Sequence, residues 1–429
     1  MTPEKDESSP KILAWLGALR GASALCAFVF TGLLIGSGIG LAMAYVPSQA
    51  EAFASVLYLR QQGGIGALLR AMHYHLASGV VVATFLMVIA GLVTEEHRER
   101  RWEFRLGVVS LLLMIAFCFT GYVLPMDQPA YWGTSVRLGI VETVPLVGGL
   151  QADMLRGGSS FGAATLPRFY ALHVAALPLV LVILILLGFR QALERASLTG
   201  GRRLIVACGL IAIAAWVVAA NFPAPLEPRA ASADTDYVPR PEWYFLWLFQ
   251  FGKYVHGFQW VESALLPVLG VGTLMILPEL RTTWKLRAAL VTALFGFMFG
   301  LGALALYEDR DLPRKPQYEE GLVLKAARDY QVECASCHGL TGKADGPDIG
   351  KLESKPKDLT TERFWDEDTM RNMIEVITKG EAPDMPAFGG RLSDEEILAI
   401  ASHIEANFRP RAALTVDRIH QGTTSRNLK

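Results

Sequence analysis

The stretch "CASCH" sets Cys334 and Cys337 with two residues between them and His338 directly behind. This is the spacing of covalent haem attachment: both sulfurs form thioethers with the porphyrin vinyl groups, and the imidazole binds the iron. A sixth ligand is needed downstream, and "GEAPDMPAFGG" supplies Met385, with Pro386 stiffening its loop. A thioether opposite an imidazole raises the reduction potential, which suits electron transfer. Met370 and Met373 are weaker ligand candidates and read better as core. The competing reading, a zinc or dithiol redox site, has no use for the adjacent histidine or the Met-Pro pair. The remaining cysteines, Cys26, Cys118 and Cys208, stand alone in apolar stretches and read as buried inert thiols.

Histidines in apolar sequence offer a second ligand pair. His73 and His75 open "RAMHYHLASGVVVATFLMVIAG", and His173 lies early in "LPRFYALHVAALPL". An imidazole in a membrane span is costly and usually functional. His73 and His173, one from each helix, make a bis-imidazole site for a b-type haem between two spans, the kind of core site helix bundles build. His75 lies about 200° around the helix from His73 and is expected to face another span or the surface. His97 falls in a basic connection and His256 in a long one.

The chain that positions these groups has 429 residues, 52% hydrophobic and 19% charged, the composition of a membrane protein. A net charge of −1 gives no basic surface for nucleic acid. A span needs about 20 apolar residues, and candidates lie at 22–45, 76–94, 107–125, 171–190, 203–220, 262–279 and 286–307. The expected fold class is therefore all-α: a polytopic membrane protein of about seven helices. A small soluble helical domain follows from "YEDRDLPRKPQYEEG" onward. The first apolar block exceeds the roughly 7–15 residues of a signal-peptide core and reads as an uncleaved span. Arg-rich connections "TEEHRERRWEFR", "FRQALERASLTGGRR" and "ELRTTWKLR" are expected to face the cytoplasm of a bacterial cell. That leaves the N-terminus cytoplasmic and delivers the C-terminal domain to the periplasm, where c-type haem is attached. His73 and His173 then lie in the outer half of the membrane.

The segments "YVPSQAEAFASVLYL", "LLRAMH", "TGYVLPMDQPAYW", "TLPRFYALH" and "PRPEWYFLWLFQ" together carry a resemblance. Residues 12–307 look like cytochrome b of the Rieske/cytochrome b (bc-type) quinol oxidoreductases, with these segments in family order. Residues 317–410 look like a small class I cytochrome c, standing where the long family form has an eighth helix. The resemblance implies a haem-binding four-helix bundle at 1–200 and a three-helix part with PEWY at 201–310. A periplasmic cytochrome c domain at 317–410 and a polar tail at 411–429 complete the division. It further implies a homodimer in the lipid membrane, a quinol-oxidation pocket on the outer face, a Rieske iron–sulfur partner and a periplasmic electron acceptor. In that pocket Glu242 would take a proton from quinol, beside Tyr122 and Tyr244, with Pro125 shaping the wall. A carboxylate suits that task because an apolar pocket raises its proton affinity; the plainer alternative is a helix-start carboxylate after Pro241. The family usually has an aromatic residue where Met126 stands. Arg70 and Arg168, about one turn before their histidines, would pair with haem propionates or else anchor the outer interface. Gly107 and Gly121 would let porphyrin planes approach the third span, or serve helix packing alone.

The family also places a second histidine fourteen positions on, about 21 Å along nearly the same helix face, so that two haems stack across the membrane. Here that position is Met87, and in the fourth span it falls at Leu187 or Gly188. Both inner ligands are missing, so a single b-haem is expected. The rivals are a five-coordinate inner haem on Met87 or water, or a haem held by a partner. The expected function is quinol oxidation with electron transfer through one b-haem and the fused c-haem, without a complete Q-cycle. The alternative is a haem-bearing membrane anchor that links the quinone pool to a periplasmic oxidoreductase such as a molybdenum enzyme. A haem sensor on a membrane stalk leaves the intact PEWY region unexplained.

Overall fold

The computed structural model describes residues 8–49, 51–61, 64–94, 96–158, 160–187, 201–227, 229, 239–255, 257–308, 310, 320–365 and 369–409. Gly188, His256, most of the Arg-rich connection after the fourth span and the 411–429 tail lie outside them. Every named element is helical, and extended pairing among the described residues is limited to isolated bridges, Asp127–Arg229 and Glu381–Met385. The chain divides into two compact units, Met1–Gln317 and Tyr318–Lys429.

The first unit holds α1 (Ser8–Ala42), α2 (Ala52–Gln61), α3 (Ile65–Val93), α4 (Arg101–Tyr122), α5 (Gln128–Glu142) and α6 (Gly148–Arg156). It continues with α7 (Thr165–Leu187), α8 (Gly201–Asn221), α9 (Leu246–Tyr254), α10 (residues 261–279) and α11 (Trp284–Glu308). Six of them, α1, α3, α4, α7, α8 and α11, are long and apolar enough to cross a membrane. The span expected at 262–279 is less regular. It runs as a π-turn (Val261–Leu265), a short α-helix (Leu266–Ile276) and a 3₁₀ turn (Leu277–Glu279). Pro267 and Pro278 explain the breaks, because each lacks the amide that a continuous helix needs there.

Helices α1, α3, α4 and α7 pack as a bundle around Val80, Val81, Leu113, Met114 and Leu181, with Phe30, Leu34 and Phe117 against them. In its apolar window α3 is 56% buried, against 6% for α7, α8 and α11, so α3 is the central helix. The connections gather at two ends. At the basic end, Arg101 and Arg105 reach Glu279 at 2.5 and 2.8 Å, and Arg287 donates to the Val93 carbonyl. At the other end, Asp127 caps α5 by accepting from the Ala130 amide and also accepts from the Glu227 amide. His73 and His173 lie toward that second, histidine end.

The second unit holds α12 (Glu320–Asp329), α13 (Thr369–Lys379) and α14 (Asp394–Phe408). They enclose Tyr330, Ile377, Phe388, Ile397, Ile400 and Ile404. Ser393 and Glu396 form a reciprocal cap that starts α14.

Candidate haem centres and the pocket beside them

The His73 and His173 rings stand edge-on across the bundle, with centroids 6.1 Å apart and planes at 69°. A metal–nitrogen bond of about 2 Å to each of two imidazoles places their centroids about 6 Å apart, so the pair fits one iron between them. A hydroxyl holds each ring by Nδ1: Ser37 of α1 at 3.1 Å from His73, and Thr120 of α4 at 3.0 Å from His173. Both hydroxyl protons are already committed, to the carbonyls of Leu33 and Ala116. Ser37 and Thr120 therefore accept from Nδ1–H, which fixes the tautomer and leaves Nε2 bare for iron. The next residue in each helix is glycine. A Cβ on Gly38 would stand 3.2 Å from the His73 ring, and one on Gly121 only 2.8 Å from the His173 ring.

His173 stands in a π-turn, Leu172–Ala176, closed by a bond from the Leu177 amide to the Leu172 carbonyl. Pro178 follows immediately and cannot donate into a regular ladder, so the helix widens just before it. Sequence reasoning missed the hydroxyl partners and the π-turn. The signal was present: a hydroxyl–glycine pair at Ser37–Gly38 and again at Thr120–Gly121, and a proline five residues after the ligand.

Other candidates fall nearby. His75 donates from Nε2 to the Phe222 carbonyl at 2.7 Å, tying α3 to the end of α8. The Arg70 guanidinium donates to the carbonyls of Ala224 and Pro225 at 2.7 and 2.6 Å. Arg168 donates to the Met154 carbonyl at 2.5 Å. Toward the basic end, Met87 occupies the position fourteen residues beyond His73, and its Cε lies 3.2 Å from where a Gly107 Cβ would be. Farther along, Arg20 fills the space over Gly91 and pairs with Glu103 at 4.0 Å. Leu187 is 46% exposed.

Beside the histidines lies a cluster of polar side chains. Glu242 precedes the 3₁₀ turn Trp243–Phe245, and its carbonyl accepts from the Phe245 amide at 2.8 Å. The Tyr122 hydroxyl donates to the Arg240 carbonyl at 3.2 Å. The Cys118 thiol of α4 donates to the Ala77 carbonyl at 3.8 Å, and Tyr244 is its neighbour in the PEWY segment. Burial pushes the Glu242 carboxyl above the usual carboxylate range, while the Arg137 charge pulls the other way. Pro125 leads into a buried Met126 with a left-handed backbone (φ 54°), which turns the chain from α4 into α5.

In the second unit, Cys334 ends a π-turn (Tyr330–Cys334), and Cys337 and His338 lie in the helical turn Ala335–His338. Gly339 follows with φ 79°, and a Cβ there would overlap the Asp345 carboxylate. The amides of Ala344, Gly346 and Asp348 donate to the carbonyls of His338, Cys337 and Ser336, wrapping the following loop onto the turn. Met385 sits in a loop closed by paired backbone bonds with Glu381 at 3.0 and 2.9 Å. Cys334 and Met385 pack against one hydrophobic core, a thioether placement that fits a c-type haem. Met373 is inside that core and Met370 against it.

Comparisons with known proteins identify the two parts of the chain. The cytochrome b/b6/petB family model matches residues 7–194, and that of cytochrome c oxidase, cbb3-type, subunit III matches residues 322–404. Cytochrome b6 of Gracilaria tenuistipitata var. liui is 39% identical over 166 residues, 38% of this chain and 76% of the relative. Cytochrome b6 of Synechococcus elongatus is 38% identical over 156 residues, 36% of this chain and 72% of the relative. The solved structure "Hyperthermophilic respiratory Complex III" shares the fold, with a TM-score of 0.53 at 21% identity, covering 69% of this chain and 85% of that one. The chain belongs to the cytochrome b/b6 family and carries a cytochrome c domain behind it. It is a multi-pass membrane electron-transfer protein, with b-type and c-type haem implied by its two parts.

Proposed function

We propose that the chain oxidises quinol at the histidine end of its bundle, as a subunit of a bacterial inner-membrane quinol oxidoreductase with a Rieske-type partner and a periplasmic electron acceptor. One b-type haem is held by His73 and His173. One c-type haem is bound to Cys334 and Cys337 and ligated by His338 and Met385. The haems supply one-electron transfer when bound. The chain's own residues do the rest. Glu242 accepts a proton as quinol is oxidised, while Tyr122 and Tyr244 shape the pocket around it. Ser37, Thr120, Gly38 and Gly121 hold the two imidazoles in tautomer and plane. The N-terminus faces the cytoplasm and the cytochrome c domain the periplasm. The working divisions are 1–200, 201–310 and 317–410, in a homodimer of a larger complex.

The observation that carries this reading is the contrast along α3. His73 is clamped opposite His173 at 6.1 Å, whereas Met87 lies folded against Gly107. A bundle with ligands at one end only does not complete a Q-cycle, because no second ligand pair relays an electron to the basic end. The b-to-c haem ratio of the purified chain, from pyridine haemochrome spectra, tests it. One b per c is expected; two per c overturns the single-haem reading and makes Met87 the first residue to mutate.

A further inference from the structure

Helix α5 turns a cation toward the pocket. Arg137 stands one helical turn after Gly133, so the two share a face. Gly133 leaves room for the Tyr122 ring, with a Cβ position 3.1 Å from Tyr122 Cε1. The Arg137 guanidinium lies over that same ring, 4.3 Å from its centroid. Tyr122 is held from the other side by its bond to the Arg240 carbonyl. Among the described residues Arg137 has no hydrogen bond or ion pair; the ring is its support and the pocket its outlook.

The groups that act electrostatically with Glu242 come from four elements. They are Tyr74 on α3, Cys118 and Tyr122 on α4, Tyr244 in the PEWY segment, and Arg137 on α5. Arg137 is the cation among them. The others are neutral at pH 7 when unperturbed.

We propose that Arg137 is a positioning residue for quinol oxidation, which stacks on Tyr122 and keeps the Glu242 carboxylate charged and ready to accept a proton. Only the ionised carboxylate can act as a base. A cation in the same pocket favours that form against burial, which disfavours it. Arg137 thereby extends turnover to lower pH. The inference rests on the reading of Glu242 as the proton acceptor.

The test uses membranes containing the assembled complex, a water-soluble naphthoquinol and a pH range of about 5 to 9. Arg137→Met should move the acidic limb of quinol oxidation upward by about one pH unit, a loss of roughly tenfold in rate at the acidic end. The rate at the alkaline end should stay near that of the parent. Arg137→Lys, which keeps the charge, should restore most of the acidic limb. A purely structural role would lower the rate equally at every pH. That result, or an unmoved limb in Arg137→Met, overturns the proposal. If Arg137→Met loses the b-haem spectrum, Arg137→Gln gives the same reading with the side chain's length retained. Glu242→Gln separates the two ideas. If the acidic limb vanishes in Glu242→Gln yet stays put in Arg137→Met, Glu242 stands and Arg137 fails. If the limb survives in Glu242→Gln, another group titrates and both fail.

Discussion

The two halves of the four-helix bundle are built from the same helices and do opposite things with the space between them. At the histidine end, small residues and hydroxyls keep a gap open. Gly38 and Gly121 lie against the imidazoles, and Ser37 and Thr120 hold them by Nδ1. At the basic end the corresponding gap is closed by side chains. Met87 lies on Gly107, Arg20 lies on Gly91, and Val88, Leu92, Phe104, Val108 and Leu111 form an apolar core with residues of α10 and α11. A glycine in a helix is therefore not evidence of a cofactor by itself. What distinguishes Gly121 from Gly107 is the atom that a methyl group would meet: a ring that must stay put in one case, and the tip of a flexible thioether in the other.

That difference makes the sharpest test. Gly121→Ala drives a methyl group to 2.8 Å from the His173 ring, and the expected outcome is loss of most b-haem absorbance. Gly107→Ala meets only Met87 Cε at 3.2 Å. It should keep the full spectrum and cost less than about 1 kcal/mol in stability. Equal behaviour of the two variants would erase the contrast between the halves. A smaller effect is expected from the hydroxyls. Ser37→Ala or Thr120→Val removes the acceptor for Nδ1–H and should weaken haem retention by about 10- to 100-fold, read by haem extraction. Serine at position 120 should restore it. The smallest effect lies outside the bundle and serves as its control. His403 is half-buried against Tyr330 and Phe408, which holds its imidazole down to about 4. Because the folded domain keeps this histidine neutral, its contribution is present above the unfolded value of 6.5 and is lost as pH falls from 6.5 to about 4. Thermal scans should show the cytochrome c domain losing on the order of 1–3 kcal/mol over that window. His403→Phe should flatten the response and leave the b-haem spectrum unchanged.

The sequence shows the proposed ligands better than their supports. Cys334, Cys337 and His338 are contiguous enough to read directly, and His73 and His173 stand out because imidazoles are rare in apolar helices. Ser37 and Thr120 were silent because a hydroxyl in such a helix bonds the carbonyl four residues back, as both do here, and looks locally satisfied. The break in α10 was visible as Pro267 and Pro278, but the hydropathy that marks a span averages over prolines. The π-turn at His173 was hidden for the same reason.

The closed basic half also has an electrical consequence. An electron that crosses the full thickness of a bilayer moves through its voltage, and each elementary charge gains or loses about 2.3 kcal/mol per 100 mV. On the single-haem reading proposed above, with Met87 packed where a second carrier would stand, the basic half of the bundle would be an insulating plug. Turnover would then run parallel to the membrane surface and out of its field. Its rate should be indifferent to collapse of the membrane potential, and its contribution to energy storage would come down to the protons that quinol sheds at the histidine face.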